Sequence, residues 1–301
     1  MTDLSIIIIS YNTRQLLDDC LETVFAAAVP PGGLDVWVVD NASRDGSPDM
    51  VMAKYPQVHL IRNQTNVGFA TANNQAGKLA QGKAILFLNS DTRISPDALV
   101  KPLDYLNTHP QVGGLTVRLV LPTGQLDPDN HRGFPTPWAS LCHFTGLNRL
   151  FPLSPRFNQY FQSYLDFTQT HRVDVTAGSY LLMPMALYRE LGGWDEQYFF
   201  YGEDIDLCYR INAAAYEIVY FPLVEVIHYK GASSGFKKES AGLVPRPPRE
   251  TRVKVARESA RAMKIFYGKF YRQKYNPLVT SFVLLAIQVQ GWLRILKHRL
   301  T

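Results

Sequence analysis

Four groups of residues in this chain combine side-chain types and spacings that can do chemistry: VVDNAS (38–43), NVGFATANN (66–74), FLNSD (87–91) and GGWDEQYFFYGEDID (192–206). Each sets amide or acidic side chains at the exit of an apolar run, where open α/β sheets bind ligands. A carboxylate at a strand tip, as at Asp40, can accept hydrogen bonds from a pyrimidine N–H or a ribose hydroxyl. Asp40 and Asn41 could equally cap the next turn, as such residues commonly do. Asn12, just past the first apolar run, would line the same cleft.

In FLNSD the apolar run ending at Leu88 delivers Asn89 and Asp91 to a sheet edge, two residues apart and so able to face one side. Mg2+ or Mn2+ in nucleotide sites uses one or two carboxylates and takes phosphate oxygens for the rest, a role open to Asp91. The competing role for Asp91 is a turn before Thr92. In NVGFATANN, Gly68 is free to take positive φ, and Asn66, Asn73 and Asn74 offer neutral amides to a diphosphate. The motif lacks the G-x-G-x-x-G spacing, which disfavours a nicotinamide dehydrogenase. Glu203, Asp204 and Asp206 open a helix, where its dipole favours acids. Clustered carboxylates also raise one another's proton affinity, which suits a base. His228 ends the apolar run 224–227, a place where a lone histidine is ordinarily a structural hydrogen-bonder. DPDNH (127–131) lies in an irregular stretch and reads as a polar loop.

In order and spacing these motifs resemble the inverting glycosyltransferases of family 2 with the GT-A fold, from about Leu4 to about Ser234. The rhamnosyltransferase-like branch is nearest. The resemblance implies that Asp40 contacts the base of a dTDP- or UDP-sugar, with Asn12, Asn66, Gly68, Asn74 and Asn89 lining the donor site. It implies that Asp91 and His228 hold Mg2+ or Mn2+, and that Asp204 is the base that deprotonates the acceptor hydroxyl. Trp194, Asp195 and Glu203 would shape the acceptor side. Family members often carry Asp-x-Asp where this chain has Asn89 first, which implies weaker metal affinity. The acceptor would be a saccharide or lipid-linked saccharide in cell-surface polysaccharide synthesis. A sugar nucleotidyltransferase would need a Gly-rich, basic phosphate loop after the first strand, and Tyr11-Asn12-Thr13 offers none. A carbohydrate-binding relative without catalysis is disfavoured by the presence of Asp91, Asp204 and His228.

The elements that must position these groups follow from periodicity. Residues 4–10 form a continuous apolar run, the mark of a strand covered on both faces. Helical spacing follows over 13–27, then strands over 36–39 and 59–61, a helix over 71–80 and a strand over 84–88. Ser95-Pro96 reads as a helix start. Alternating strands and helices predict an α/β fold of GT-A type with a mostly parallel nucleotide-binding sheet flanked by helices. From 121 to about 173 the pattern dissolves among prolines and aromatics, as functional segments often do. An extended stretch over 173–183, a helix over 203–213 and a strand over 217–221 complete the expected catalytic domain, 1–244.

The net charge of +5 conceals a split. Residues 246–301 hold 13 Lys/Arg against two Glu, and the other 245 residues hold 18 basic and 24 acidic. After a Pro-rich hinge at 244–248, Ala256, Ala260, Met263, Tyr267 and Phe270 form one helical stripe, and the 18 residues 276–293 carry no charge. This helical tail, 245–301, predicts an anionic membrane surface as partner and a protein peripheral at the inner face of the cell membrane. No nucleic-acid motif accompanies the charge. Three scattered cysteines and the lack of a signal peptide ahead of SIIIIS point to the cytoplasm.

Overall fold

The computed structural model describes residues 2–231 and 248–300. The chain begins β1 (Leu4–Ser10), α1 (Arg14–Ala26), β2 (Leu34–Asp40), α2 (Ser47–Lys54), β3 (His59–Arg62), α3 (Phe69–Gly77) and β4 (Ala84–Asn89). β5 (Thr92–Ile94), α4 (Lys101–Thr108) and β6 (Val112–Val120) follow. The irregular segment then carries a 3-10 turn (Pro128–Asn130), α5 (Pro137–Thr145) and α6 (Leu147–Leu150). β7 (His171–Val173), β8 (Tyr180–Pro184), α7 (Met185–Glu190), α8 (Glu203–Ala213) and β9 (Glu217–His228) complete the sheet region, and α9 (Arg249–Phe270) and α10 (Pro277–Leu300) end the chain.

One sheet runs in the order β3-β2-β1-β4-β8-β6-β9-β5, with β7 also on β9. The expected parallel pairing holds across β3-β2-β1-β4 and between β6 and β9, whereas β8, β5 and β7 pair antiparallel. β1 shows why its run is continuously apolar. Leu4, Ile6 and Ile8 enter one core and Ile7 enters the core on the opposite face, so both alternating sets are buried.

Several local expectations shift. β3 is an edge strand whose end residues are exposed. The helix read at Ser95 begins instead at Lys101, because the Ser95 carbonyl accepts from Ala98 N (3.0 Å) and Pro96 O accepts from Ala28 N (2.9 Å), fixing a turn first. The extended stretch over 173–183 breaks between β7 and β8, and that break carries Ser179 towards the site. The hinge at 244–248 lies outside the described residues except for Pro248.

The expected boundary at 244 separates α9 in sequence but not in packing. Phe266, Tyr267 and Tyr271 are buried in the same core cluster as Phe87 and Trp194. Phe270 stacks on Tyr209 of α8 (4.1 Å between centroids), and Lys269 bonds Asp195 (2.6 Å) and Asp206. α10 lies along α9: a Cβ on Gly291 would stand 2.7 Å from the Ala260 Cβ, so the helices approach closely there.

Candidate active site

The strand order reverses direction of growth between β1 and β4, and ligands of open α/β sheets bind at the carboxyl ends beside such a point. Register brings the motif residues to that edge: Ser10 pairs with Asp40, and Ile9 with Asn89. Asp40 is buried; its Oδ2 accepts from Ser43 N (2.9 Å), while buried Oδ1 has no partner among the described residues. Leaving such an atom unsatisfied costs about 1–3 kcal/mol, which a ligand N–H would relieve. Asn12 adopts φ 54°, accepts from Arg44 N (2.8 Å) and donates from its own N–H to the Ser43 hydroxyl (2.8 Å), shaping the loop beside Asp40.

Asn66 accepts from Gly68 N (3.0 Å), and Asn41 donates to Gly68 O (3.2 Å). Gly68 has the expected positive φ, +89°, and a Cβ there would lie 2.7 Å from Phe199 O, so this loop rests on the segment before α8. Asn74 is placed elsewhere. Its amide donates to Trp194 O and Glu196 and accepts from Trp194 N and Tyr188 Oη, all at 2.8–2.9 Å, leaving no donor for a diphosphate. Trp194 departs from its expected acceptor role too: it is 1% exposed and packs edge-on against Phe87 and Phe69, because so large an apolar side chain gains most in the core. Asp195 is occupied by Lys269 and by Gln197 N (2.8 Å).

Pairing of Thr92 with His228 sets Asp91 beside the histidine, and Tyr229 N donates to Asp91 O (2.8 Å). His228 Nε2 stands 3.4 Å from Asp91 Oδ1, and its Nδ1 lies 2.7 Å from Asp127 Oδ2. A carboxylate on Nδ1 fixes the ring and aims Nε2 at a metal. Burial alone would lower the proton affinity of His228, but the charge of Asp91 and the bond to Asp127 outweigh it and hold the ring at about 9. Ser179 Oγ accepts from Asn89 Nδ2 (3.1 Å) and lies 3.4 Å from His228 Nε2, joining Asn89 to the pair. Buried Lys230 bonds both Asp127 and Asp129 (2.8 Å). No group of three or more His, Cys, Asp or Glu able to hold a metal converges among the described residues. One carboxylate completed by phosphate oxygens is still a donor set that Mg2+ accepts.

DPDNH is therefore no solvated loop. Asp127, Asn130 and His131 are buried, and Asn130 is anchored by Thr116 (2.6 Å), Thr176 (3.0 Å) and Val117 O. Asp127 and Asn130 tolerate such burial because their polar atoms are bonded, and the segment acts as a strut. Its next residue, Arg132, pairs with Asp204 (2.7 Å) and is held to Val175 by two backbone bonds. Asp127 and Arg132 are five residues apart, at most about 17 Å along the chain, so the strut joins the His228 pair to the acids of α8.

At the start of α8, Asp204 keeps a carboxylate edge 17% exposed, whereas Asp206 is fully buried between Arg210, Tyr198 and Lys269. Glu203 is buried with Oε2 unbonded; burial and the charge of Asp204 push its carboxyl up to about 8. Asp127, Ser179, Lys230 and Arg132 were missed by motif reading. DPDNH was the one local signal for the first and last of them.

The glycosyl transferase family 2 model matches residues 5–190. The chain belongs to that family. Over 247 residues the glycosyltransferase is 30% identical to the N-acetylglucosaminyl-diphospho-decaprenol L-rhamnosyltransferase of Mycobacterium tuberculosis, covering 78% of this chain and 79% of that protein. Its fold is the GT-A fold. The structure of the mannosyltransferase PcManGT from Pyrobaculum calidifontis, in complex with GDP-Man and Mn2+, superposes with a TM-score of 0.58 at 18% identity, over 98% of this chain and 72% of that one. The structure of GalNAc-T7 with UDP, GalNAc and Mn2+ gives 0.56 at 12% identity, over 90% and 56%.

Proposed function

We propose that this glycosyltransferase moves a sugar, with inversion, from a dTDP- or UDP-sugar to a lipid-linked saccharide in cell-surface polysaccharide synthesis, rhamnose being the sugar expected. The observation that carries the reading is the convergence of Asp40, Asp91 and His228 at one sheet edge, braced by Asp127 and joined through the strut to Asp204. Asp40 would accept a base or ribose hydrogen bond on its unbonded Oδ1, with Asn12, Asn66, Gly68 and Asn89 framing the donor. Asp91 and His228 would hold Mg2+ or Mn2+, which when bound neutralises charge developing on the departing diphosphate. Asp204, oriented by Arg132, would accept the acceptor hydroxyl's proton at its carboxylate, and Glu203 beside it would hold its own proton at neutral pH. The names of the M. tuberculosis relative, with its decaprenol-linked acceptor, and of neighbours holding Mn2+ support the acceptor class and the cation.

The same reading places the protein at the cytoplasmic face of the membrane, held peripherally by α10. Within Pro277–Arg299 an 18-residue stretch has a mean hydropathy of 1.5, with 6% of it buried. The contact of Gly291 with α9 and of Val283 and Leu284 with the core favour a helix lying along the protein over one crossing the bilayer. A thermal-shift panel of UDP-, dTDP- and GDP-sugars with Mn2+ tests the donor. A UDP- or dTDP-sugar should stabilise the protein by about 2.7 kcal/mol at a hundredfold excess over Kd, and not without the cation. Stabilisation by GDP-sugars alone would overturn the donor assignment.

A further inference from the structure

We propose that the α5–α6 hairpin is a second lipid contact of this protein, seated on an anionic monolayer beside the site, where a lipid-linked acceptor would arrive. The inference rests on the lipid-linked acceptor reading above but draws on a different surface from α10. Trp138, Leu141 and Phe144 recur at three-residue spacing on α5, and Leu150, Phe151 and Leu153 follow on and after α6; all six are exposed, Leu150 and Leu153 by more than 70%. Soluble surfaces rarely gather this much apolar area without a use for it.

Charge identifies the occupant. Residues 133–165 contain two arginines, Arg149 and Arg156, and no Asp or Glu, in a chain whose first 245 residues are otherwise acidic. The Arg156 guanidinium lies 5.9 Å from the Trp138 ring centre and 5.8 Å from that of Phe157, so cation and aromatics share one rim. Aromatic and basic side chains around an apolar tip are what a headgroup layer accepts. α10 repeats the pattern: Leu278, Phe282, Leu285, Val289, Trp292 and Leu296 are exposed along it, with Arg294, Lys297 and Arg299 and no acid.

Position gives the surface its use. The hairpin leaves the domain at Gly133 and returns at Tyr160, where Gly133 N donates to Tyr160 O (2.9 Å). Gly133 directly follows Arg132, which pairs with Asp204. The hairpin that a monolayer would hold is thus rooted beside the arginine that pairs with Asp204, the residue proposed to meet the acceptor hydroxyl.

The test is sedimentation of the full-length protein with anionic phospholipid vesicles, comparing F144D/L150D in the hairpin and F282D/W292D in α10 with the parent. All four positions are exposed, so the folded state should survive, which matching melting temperatures would show. Each pair should weaken vesicle binding by about tenfold or more. F144D/L150D should also raise the KM for a lipid-linked acceptor in vesicles while sparing donor binding and transfer to a short water-soluble acceptor. Parent-like vesicle binding by F144D/L150D would overturn the proposal. So would a concentration-dependent dimer of the parent in lipid-free buffer that the hairpin variant abolishes, because the surface would then be an interface between copies. Vesicle binding lost in F144D/L150D, with no transfer by the parent to any lipid-linked acceptor, would sustain the lipid contact and overturn the acceptor reading.

Discussion

Glu203 carries its proton to about 8 because burial and Asp204 both disfavour its charged form. The ordinary value is 4.5, so between these limits the folded chain holds a proton that the unfolded chain releases. The folded state therefore loses stability as pH rises through that window, and Glu203→Gln should flatten the fall of Tm between pH 5 and 8. Parallel profiles for the two proteins would contradict the burial argument. Asp204→Asn should lower turnover by about 10²-fold or more with donor affinity retained, since a positioned base contributes on that scale. If turnover survives and donor KM rises, Asp204 belongs to the donor side. Asp127→Asn should weaken Mn2+-dependent donor binding by about 10- to 100-fold, the usual cost of losing the partner that orients a ligand histidine, and titration of Mn2+ by donor-binding assay measures it. At this scale Asp40, Asp91, Asp204 and His228 were legible because each ends a short apolar run or starts a helix. Asp127 and Ser179 were not, because only pairing of β9 with β5, and the turn that returns the chain after β6, brings them to His228.

Among elements, α8 was read with the bounds it has, because its acids, periodic apolar face and length agree. α9 shows what periodicity leaves open. Its stripe was visible, yet the same stripe serves a membrane or a core, and what decides is the matching aromatic surface of Tyr209, Tyr198 and Trp194 far upstream. Phe266 is 1% exposed within that surface. Phe266→Ala should therefore destabilise the whole protein by about 3–5 kcal/mol, measured by denaturant unfolding, and a loss under about 1 kcal/mol would mean that α9 is an appendage after all. For the same reason a chain ending near Val244 should aggregate or unfold. Trp194 and Asn74 were misplaced for a related cause: motif membership marks a segment, while burial decides which of its side chains face the cleft.

For the whole molecule, the alternation of strands and helices gave the α/β class, and the parallel half of the sheet with its switch point follows from the β1–β4 order. The mixed half was hidden, since β8 and β5 are short and their antiparallel pairing depends on partners more than ninety residues away in sequence for β4–β8 and β5–β9. The resulting arrangement brings Asp40, Asp91 and His228 to one sheet edge and ties them through the strut to Asp204 of α8; on the proposed reading these would be the nucleotide edge, the cation ligands and the base. The most direct measurement is sugar transfer from a labelled dTDP- or UDP-sugar by the parent and by Asp91→Ala, each with Mn2+ and with excess EDTA. The account predicts transfer by the parent with Mn2+ alone, and none above background by Asp91→Ala in either condition. Undiminished transfer by Asp91→Ala in excess EDTA would contradict it.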